Sequence, residues 1–571
     1  MATTPPSAYQ PKPTVGQISG FTNFNEAQHY AYAQWLDGIK HVFELYGFTP
    51  LIPRPVELRD NLHVKGGMAK QIYSIARTNE DGTLAADGRP NVVGTDIGLP
   101  FDRTVPLALW VAQYANEMTL PFKRHDIGWV FRGETAQAGR FRGFHQADVD
   151  IIGRQLGVAA DVECMMAIGQ ALVKLGIGGI TMHVNHIAIA KGLLRRVGVT
   201  AEQEAQVLRI IDKLEKVPAE KLKPEISAAA PQLTAAVIDQ LIAVFQFRGS
   251  TAAFRPVLEQ ACAGDADIMA GFAHLVALET LFAKQQDIPL FHPFGAPVRQ
   301  AQGEREEQTS DRETECSAQA LYSQNVSNDV SQNPLLLSLS KDASLEVGER
   351  QINVSNNASN PLSLPAGHSH LGDGWSLSKA EVRQDEKERP ITLVVNPGLV
   401  RGLDYYTGVV VETFVAGYEQ FGSVASGGRY SNLIASFSNK HEDIEGVGFS
   451  IGVTRLFDVL CRAKALPLER KTTADVLIAY RAETLDQAFG AAQFLRAHGQ
   501  KVDMYSNPAR PMKHQLEYAS KKGMPLVLML MSDEGSPQVA AYVLKNLATR
   551  QQTEWATQEA CFAELAGHVV K

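Results

Sequence analysis

From Ile288 to Arg389 the chain is rich in Ser, Asn, Gln and Glu, as in "SQNVSNDVSQNP" and "NVSNNASNP". Such a composition buries too little apolar area to offset the entropy of ordering it. A compact domain does not hold a structureless loop of this length in its interior. The segment is therefore expected to be disordered and to project outside the fold, although short apolar runs such as "PLLLSLS" leave room for a local turn or hairpin. With 571 residues the chain is also too long for one core, and two to four domains are expected.

Hydrophobic residues make up 45% of the chain and charged residues 20%, as in an ordinary soluble globular protein. The net charge of -8 does not exclude a nucleic-acid partner, because the local distribution of Lys and Arg decides that. The five cysteines lie far apart without a CxxC pair, so neither a zinc site nor a disulfide framework is signalled. A reducing cytoplasm is the simplest home. "MATTPPSAYQPKPTVGQ" lacks the apolar core of a secretory signal and the arginines of a transit peptide. No apolar run approaches the roughly 18 residues that cross a bilayer, so no membrane partner is expected.

"NFNEAQHYAYAQWLDGIKHVFELYGF" predicts a long amphipathic helix, capped by Asn23 or Asn25 and ended by Gly47. Three prolines keep "TPLIPRPVEL" extended. "FKRHDIGWVFRGE" and "RFRGFHQADVDIIG" read as an antiparallel hairpin around "TAQAG". Helical periodicity dominates from Ala159 to about Gln286. Strands return at "ITLVVNP" and continue to "GVGFSIGVTRLFDVL", and beyond "ERKTT" a β-α-β-α-β series makes a compact α/β domain.

Two places concentrate polar groups among buried strands. "LVRGLDYYTGVVVETF" sets Arg401, Asp404, Tyr405 and Tyr406 between apolar, β-branched runs, where polar groups need partners. Arg401 pairing with Asp404 is one way to supply them. The hairpin carries Arg132, Glu134, Arg140, Arg142, Gln146 and Asp150. Residues two apart on a strand share a face, so Gln146, Asp148 and Asp150 point the same way. A solvated face of alternating charge is the plain reading, but three arginines among strongly apolar neighbours suit a polyanion, since a guanidinium fork matches phosphate oxygens. No GxxxxGK[ST] loop is present.

At these residues the chain resembles a known family. "FRGE…GRFRGFHQ" is similar to motif 2 of class II aminoacyl-tRNA synthetases, and "GVGFSIGVTRL" to their motif 3, ending in Arg455. "RGLDYYTG" with "GGRYSNLI" resembles the two histidine-binding signatures of the histidyl-tRNA synthetase family, and "LPFDRTVPLALWVA" its histidine-binding strand and helix. The resemblance implies an α+β class II catalytic domain, an antiparallel sheet flanked by helices, in two parts, 21–158 and 390–468. It also implies a helical insertion at 159–287 and an α/β anticodon-binding domain at 473–571, and it covers neither the low-complexity insertion at 288–389 nor residues 1–20, read from composition as a flexible tail. It further implies ATP with Mg2+, L-histidine and the histidine tRNA as partners, a homodimer and a cytoplasmic location. Arg132 would bind the α-phosphate and the substrate carboxylate, and Arg401 would supply charge beside it. Glu134 would accept from adenine, Arg140 and Arg142 would lie near the triphosphate, and Arg455 would hold the γ-phosphate. Asp102, Thr104 and Gln146 would take the ammonium. Asp150, with Tyr405, Tyr406 and Tyr430, would form the imidazole pocket. Tyr430 could also pack in the core, and Thr104 could cap its helix.

Four positions depart from the family pattern. Pro100 stands where arginine is common, Arg54 where a motif 1 proline is usual, Thr454 where an acid is frequent, and Ser431 where Asp is usual. A non-catalytic relative, the regulatory subunit of ATP phosphoribosyltransferase, is the alternative, but it lacks an intact "RGLDYYTG" and the C-terminal domain. A kinase regulator that senses uncharged tRNA would carry kinase signatures, and none is present.

Overall fold

The computed structural model describes residues 16, 18–63, 71–78, 92–135, 139–177, 179–262, 264–285, 391–400, 406–437 and 443–567. The expectations for the 288–389 segment, for Arg401, Asp404 and Tyr405, and for most of the N-terminal tail lie outside these residues.

The first helix, Glu26–Leu45, starts as its sequence dictates. The Asn25 side chain accepts from the Gln28 amide, and Gln28 reaches back to the Asn25 amide, each at 3.0 Å. This reciprocal cap satisfies two donors that the first helical turn leaves open. The helix buries Ala31, Tyr32, Trp35, Ile39, Val42 and Phe43. Gly47 takes a φ of +75° and turns the chain away.

That face lies on an eight-stranded sheet. Its order is Thr49–Pro50, Phe122–Phe131, Gly143–Gly153, Glu445–Gly452, Ala425–Tyr430, Val409–Val415, Ile180–His186 and Ile391–Val395. Neighbours are antiparallel except for a parallel pair at each edge. One face carries Ala147, Val149, Ile151, Val447, Phe449 and Ile451 and packs on Glu26–Leu45 and on the helix Val158–Lys174. Period-two alternation then sends Gln146, Asp148, Asp150 and Ser450 to the other face.

One domain boundary differs from expectation. The stretch 159–287 is expected to be a helical insertion, yet Val158–Lys174 packs beneath the sheet and Ile180–His186 is one of its strands. The short run "ITMHVNH" shows no helix period, but between helical segments it carries too little signal to mark a strand. Only its pairing with Val409–Val415 and Ile391–Val395 reveals it. The helices from Ile187–Arg196 to Ala266–Gln285 follow it, and Ala266–Gln285 packs on Val158–Lys174 and on Ile180–His186. Ala266–Gln285 is long and apolar enough by composition to span a bilayer. Its Ile268, Phe272, Leu275, Leu278 and Phe282 are instead buried in the core.

The C-terminal part is a second sheet, ordered Val502–Met504, Val476–Ala479, Leu526–Met531, Ala541–Asn546 and Gln552–Trp555. Its first three strands are parallel, as the β-α-β-α-β reading requires. Two further antiparallel strands and the helix Gln558–Gly567 complete it. Arg470 lies over the Tyr30 ring at 5.4 Å, and Lys522 pairs with Glu26, joining this part to the first helix.

Candidate active site

The hairpin Phe122–Phe131/Gly143–Gly153 builds the site because its register sets charge opposite charge. Arg124 faces Asp150, Asp126 faces Asp148, and Gly128 faces Gln146. Arg124 is fully buried, and its guanidinium reaches Asp150 at 2.8 Å, Asp126 at 3.3 Å and the Arg103 carbonyl at 3.2 Å. Burial opposes its charge, but Asp150, Asp126 and Asp148 outweigh burial and hold its pKa above the ordinary value. Arg103 caps the arrangement through Asp126 at 2.5 Å.

Asp150 also receives the Tyr430 hydroxyl at 2.6 Å. Tyr430 is 2% exposed, so core packing and a polar role coincide in it. The strand Glu445–Gly452 makes room for both groups. A Cβ at Gly448 would collide with the Asp150 carboxylate, and one at Gly446 with the Tyr430 ring. Tyr406 is half-buried beside Gly428. Burial raises its pKa first, and the charges of Asp102, Asp148, Asp150 and Glu412 add to the shift. Asp102 accepts from the Val105 amide at 3.0 Å. Asp102 thereby satisfies an open amide in the first turn of the helix Thr104–Tyr114, of which Thr104 is the first residue.

Next to these acids lies a cleft of about 310 Å³ lined by Arg132, Glu134, Arg140, Gln146, Ser450 and Arg455, among others. Arg132 lies between the rings of Phe101 and Phe144, at 5.4 and 5.1 Å, and donates to the Phe101 carbonyl at 3.2 Å. Burial lowers its pKa, while Asp102, Glu134 and Asp148 favour its charge. Arg140 is exposed and stands 3.8 Å from Glu134. Arg455 donates to the Phe421 carbonyl, which fixes its direction. Three guanidiniums around one small cleft make a site for a polyanion. Gln146 donates to the Ser450 hydroxyl at 2.9 Å.

Arg142 is not part of the cleft lining. It donates to the Glu134 carbonyl at 2.9 Å, and its chain atoms pack on Gly20. Arg103, Arg124, Asp126 and Ser450 carry no role from sequence alone. Arg124 and Asp126 share a face within "FKRHDIGWVF", and that alternation was the available signal. The departures have local accounts. The Thr454 hydroxyl accepts from the His145 amide at 2.9 Å and bonds Tyr32 at 2.8 Å, tying the hairpin to the first helix. Ser431 bonds Thr407 at 2.9 Å. Arg54 pairs with buried Glu57 at 2.8 Å. The Pro100 carbonyl accepts from the Phe131 amide at 2.9 Å.

The histidyl-tRNA synthetase family profile matches residues 20–292 and 345–456. The chain belongs to the histidyl-tRNA synthetase family. It is an aminoacyl-tRNA synthetase, a ligase. A histidine–tRNA ligase of Xanthomonas campestris is 29% identical over 541 residues, covering 93% of this chain and 92% of its own length. One from Wolinella succinogenes is 30% identical over 556 residues and covers 96% of each chain. In fold the chain is similar to a crystal structure of histidyl-tRNA synthetase from Nostoc, with a TM-score of 0.68, 24% identity and coverage of 97% and 99%. A Bacillus halodurans structure described as an ATP phosphoribosyltransferase regulatory subunit/histidyl-tRNA synthetase gives a TM-score of 0.55 at 16% identity, covering 86% and 93%. Fold alone therefore does not separate enzyme from regulator. The match to curated ligases over nearly the whole chain favours the enzyme.

Proposed function

We propose that the cleft and the acidic pocket beside it activate L-histidine with ATP and then pass it to the 3′ end of the histidine tRNA. The observation that carries this is the juxtaposition of Arg132, Arg140 and Arg455 with a buried group of carboxylates on one sheet face. The first half takes the triphosphate, and the second takes a cationic, hydrogen-bonding amino acid.

In the first step a histidine carboxylate oxygen attacks the α-phosphorus in line, and pyrophosphate leaves. Arg132 holds the α-phosphate and the attacking carboxylate, Arg455 the γ-phosphate, and Arg140 the triphosphate between them. Arg401 adds positive charge at the reacting phosphorus. Preorganised charge of this kind stabilises the transition state without reorganisation during the reaction. Glu134 accepts from the adenine amino group, and Arg142 steadies Glu134 through its carbonyl. Mg2+ enters as the ATP chelate, held through the outer phosphates. Among the described residues no group of three or more His, Cys, Asp or Glu side chains is arranged for a metal ion.

Asp102, Thr104 and Gln146 receive the substrate ammonium. Asp150, oriented by Arg124 and Tyr430, accepts from one imidazole nitrogen, and Tyr405 and Tyr406 line the ring. A buried site that hydrogen-bonds both ring nitrogens rejects analogues lacking them by about 10⁴-fold. In the second step a ribose hydroxyl of the tRNA terminus attacks the histidyl carbonyl and AMP leaves. The 473–571 domain, with Arg510, Lys513, Lys521 and Lys522, holds the anticodon stem. Membership of the histidyl-tRNA synthetase family supports a homodimer. The five cysteines, scattered along the chain without a CxxC pair, support a cytoplasmic location.

Exchange of pyrophosphate with ATP, run with each of the twenty amino acids, tests the reading. Histidine alone should support exchange, and silence with histidine refutes activation. A chain ending at Lys471 should retain exchange and lose tRNA charging. Survival of both refutes the role of the C-terminal domain.

A further inference from the structure

We propose that Asp148 is a specificity-determining residue whose carboxylate accepts the α-ammonium of the bound amino acid, an inference that rests on the histidine-activating reading above. Asp126, Asp148 and Asp150 share the buried hairpin face with Arg103 and Arg124. Arg103 commits to Asp126, with contacts of 2.7 and 2.5 Å. Arg124 divides between Asp150 and Asp126. Asp148 is the acid in excess.

Asp148 is 4% exposed, and its Oδ1 has no hydrogen-bond partner among the described residues. Ser450 bonds the carboxyl, and Arg124 attracts it without forming an ion pair with it. A buried, uncompensated carboxylate is costly, and burial pushes this one up to about 7. A cation bearing N–H donors removes that cost. Gln146, two residues earlier on the same face, has its Oε1 unpartnered as well, while its Nε2 is committed to Ser450. Two acceptors on one face, one of them charged, match an alkylammonium better than a neutral ring N–H.

Position points the same way. Arg132 on the phosphate side and Tyr406 on the amino-acid side both feel the Asp148 charge. The α-ammonium of an amino acid lies next to the carboxylate that Arg132 is read to hold. The charged and titratable groups around Asp148 are Arg124 and Asp126 from the outgoing strand and Asp150 from its own. Arg103 and Asp102 approach from the turn before Thr104, with Arg132, Tyr406 and Glu412 completing the set.

The test is pyrophosphate exchange with Asp148→Asn, which keeps the shape and a partner for Ser450. The Michaelis constant for histidine should rise at least about tenfold, and that for ATP should stay within about twofold. Imidazolepropionate, which has the ring and carboxylate but no amine, is the deciding probe. Its inhibition constant should be equal for wild type and variant. A parallel loss for both ligands overturns the proposal, as does a wild-type constant for histidine in a folded variant. Should Asp148→Asn not fold, Asp148→Ser is measured in the same two assays, and an unchanged Michaelis constant for histidine in that variant overturns the proposal. A wild type that answers histidine in neither assay overturns the activation reading and this inference together. A wild-type response with an unaffected variant overturns this inference alone.

Discussion

The two large sheets of the molecule use the same backbone for different ends. In the C-terminal sheet Val476, Leu477, Ile478 and Ala479 are all buried, alternately in clusters on its two faces. Helices cover both sides, so its inner strands read as continuous apolar runs. In the eight-stranded sheet one face is equally dry, but the other buries Arg124, Asp126, Asp148 and Asp150. Ionic groups there are weak contributors to stability, because desolvation offsets their attraction. They are retained where they do chemistry, and the apolar face beneath them supplies the stability that holds them in register.

Breaking that division should give graded effects. Arg132→Ala removes one preorganised charge from the cleft and should slow histidyl-adenylate formation by about 10²–10³-fold in single-turnover kinetics. A near wild-type rate would deny the polar face its catalytic role. Leu477→Ala, a cavity in the dry C-terminal sheet, should cost about 2–5 kcal/mol in that sheet's unfolding. Because no cleft residue is touched, exchange should stay within about twofold while tRNA charging falls. Equal loss of both activities would mean that the two sheets act as one unit.

Gly448→Ala sharpens the comparison from within the catalytic sheet. Its Cβ meets the Asp150 carboxylate, so overpacking should cost about 1–3 kcal/mol and raise the Michaelis constant for histidine more than that for ATP. Both constants moving together would show a general loss of fold.

The pH response separates the layers further. Burial lowers the pKa values of His145 and His186 to about 4, with Arg103 adding to the first and His274 to the second. The unfolded state then binds more protons between about 6.5 and 4. Their contribution to stability is complete above pH 6.5 and is lost as the pH falls toward 4. A wild-type melting temperature that does not fall over that window, relative to a His145→Gln, His186→Gln variant, would contradict the neutral, half-buried state of both rings. The smallest effect belongs to the link between the two sheets. Glu26→Gln removes the surface partner of Lys522 and should change stability by less than about 1 kcal/mol. A larger change in the melting temperature would make this contact a structural joint.

Much of this molecule is written locally in its sequence. Asn25 and Gln28 dictate the start of the first helix through groups three residues apart. The hairpin that carries Arg132, Glu134, Arg140, Gln146 and Asp150 follows from period-two alternation around a glycine turn, and the family motifs lie on it. The first three C-terminal strands follow from their apolar runs. What tertiary structure decided is non-local. "ITMHVNH" becomes a strand only because Val409–Val415 and Ile391–Val395 bracket it. Arg142 and Arg140 are equivalent by spacing, and only folding turns Arg142 toward Gly20 and leaves Arg140 at the cleft. Arg124 reads as one more strand arginine until register sets it against Asp150 and Asp126. Charge pairing across strands depends on which residues the ladder sets opposite each other, and no property of either strand alone specifies that.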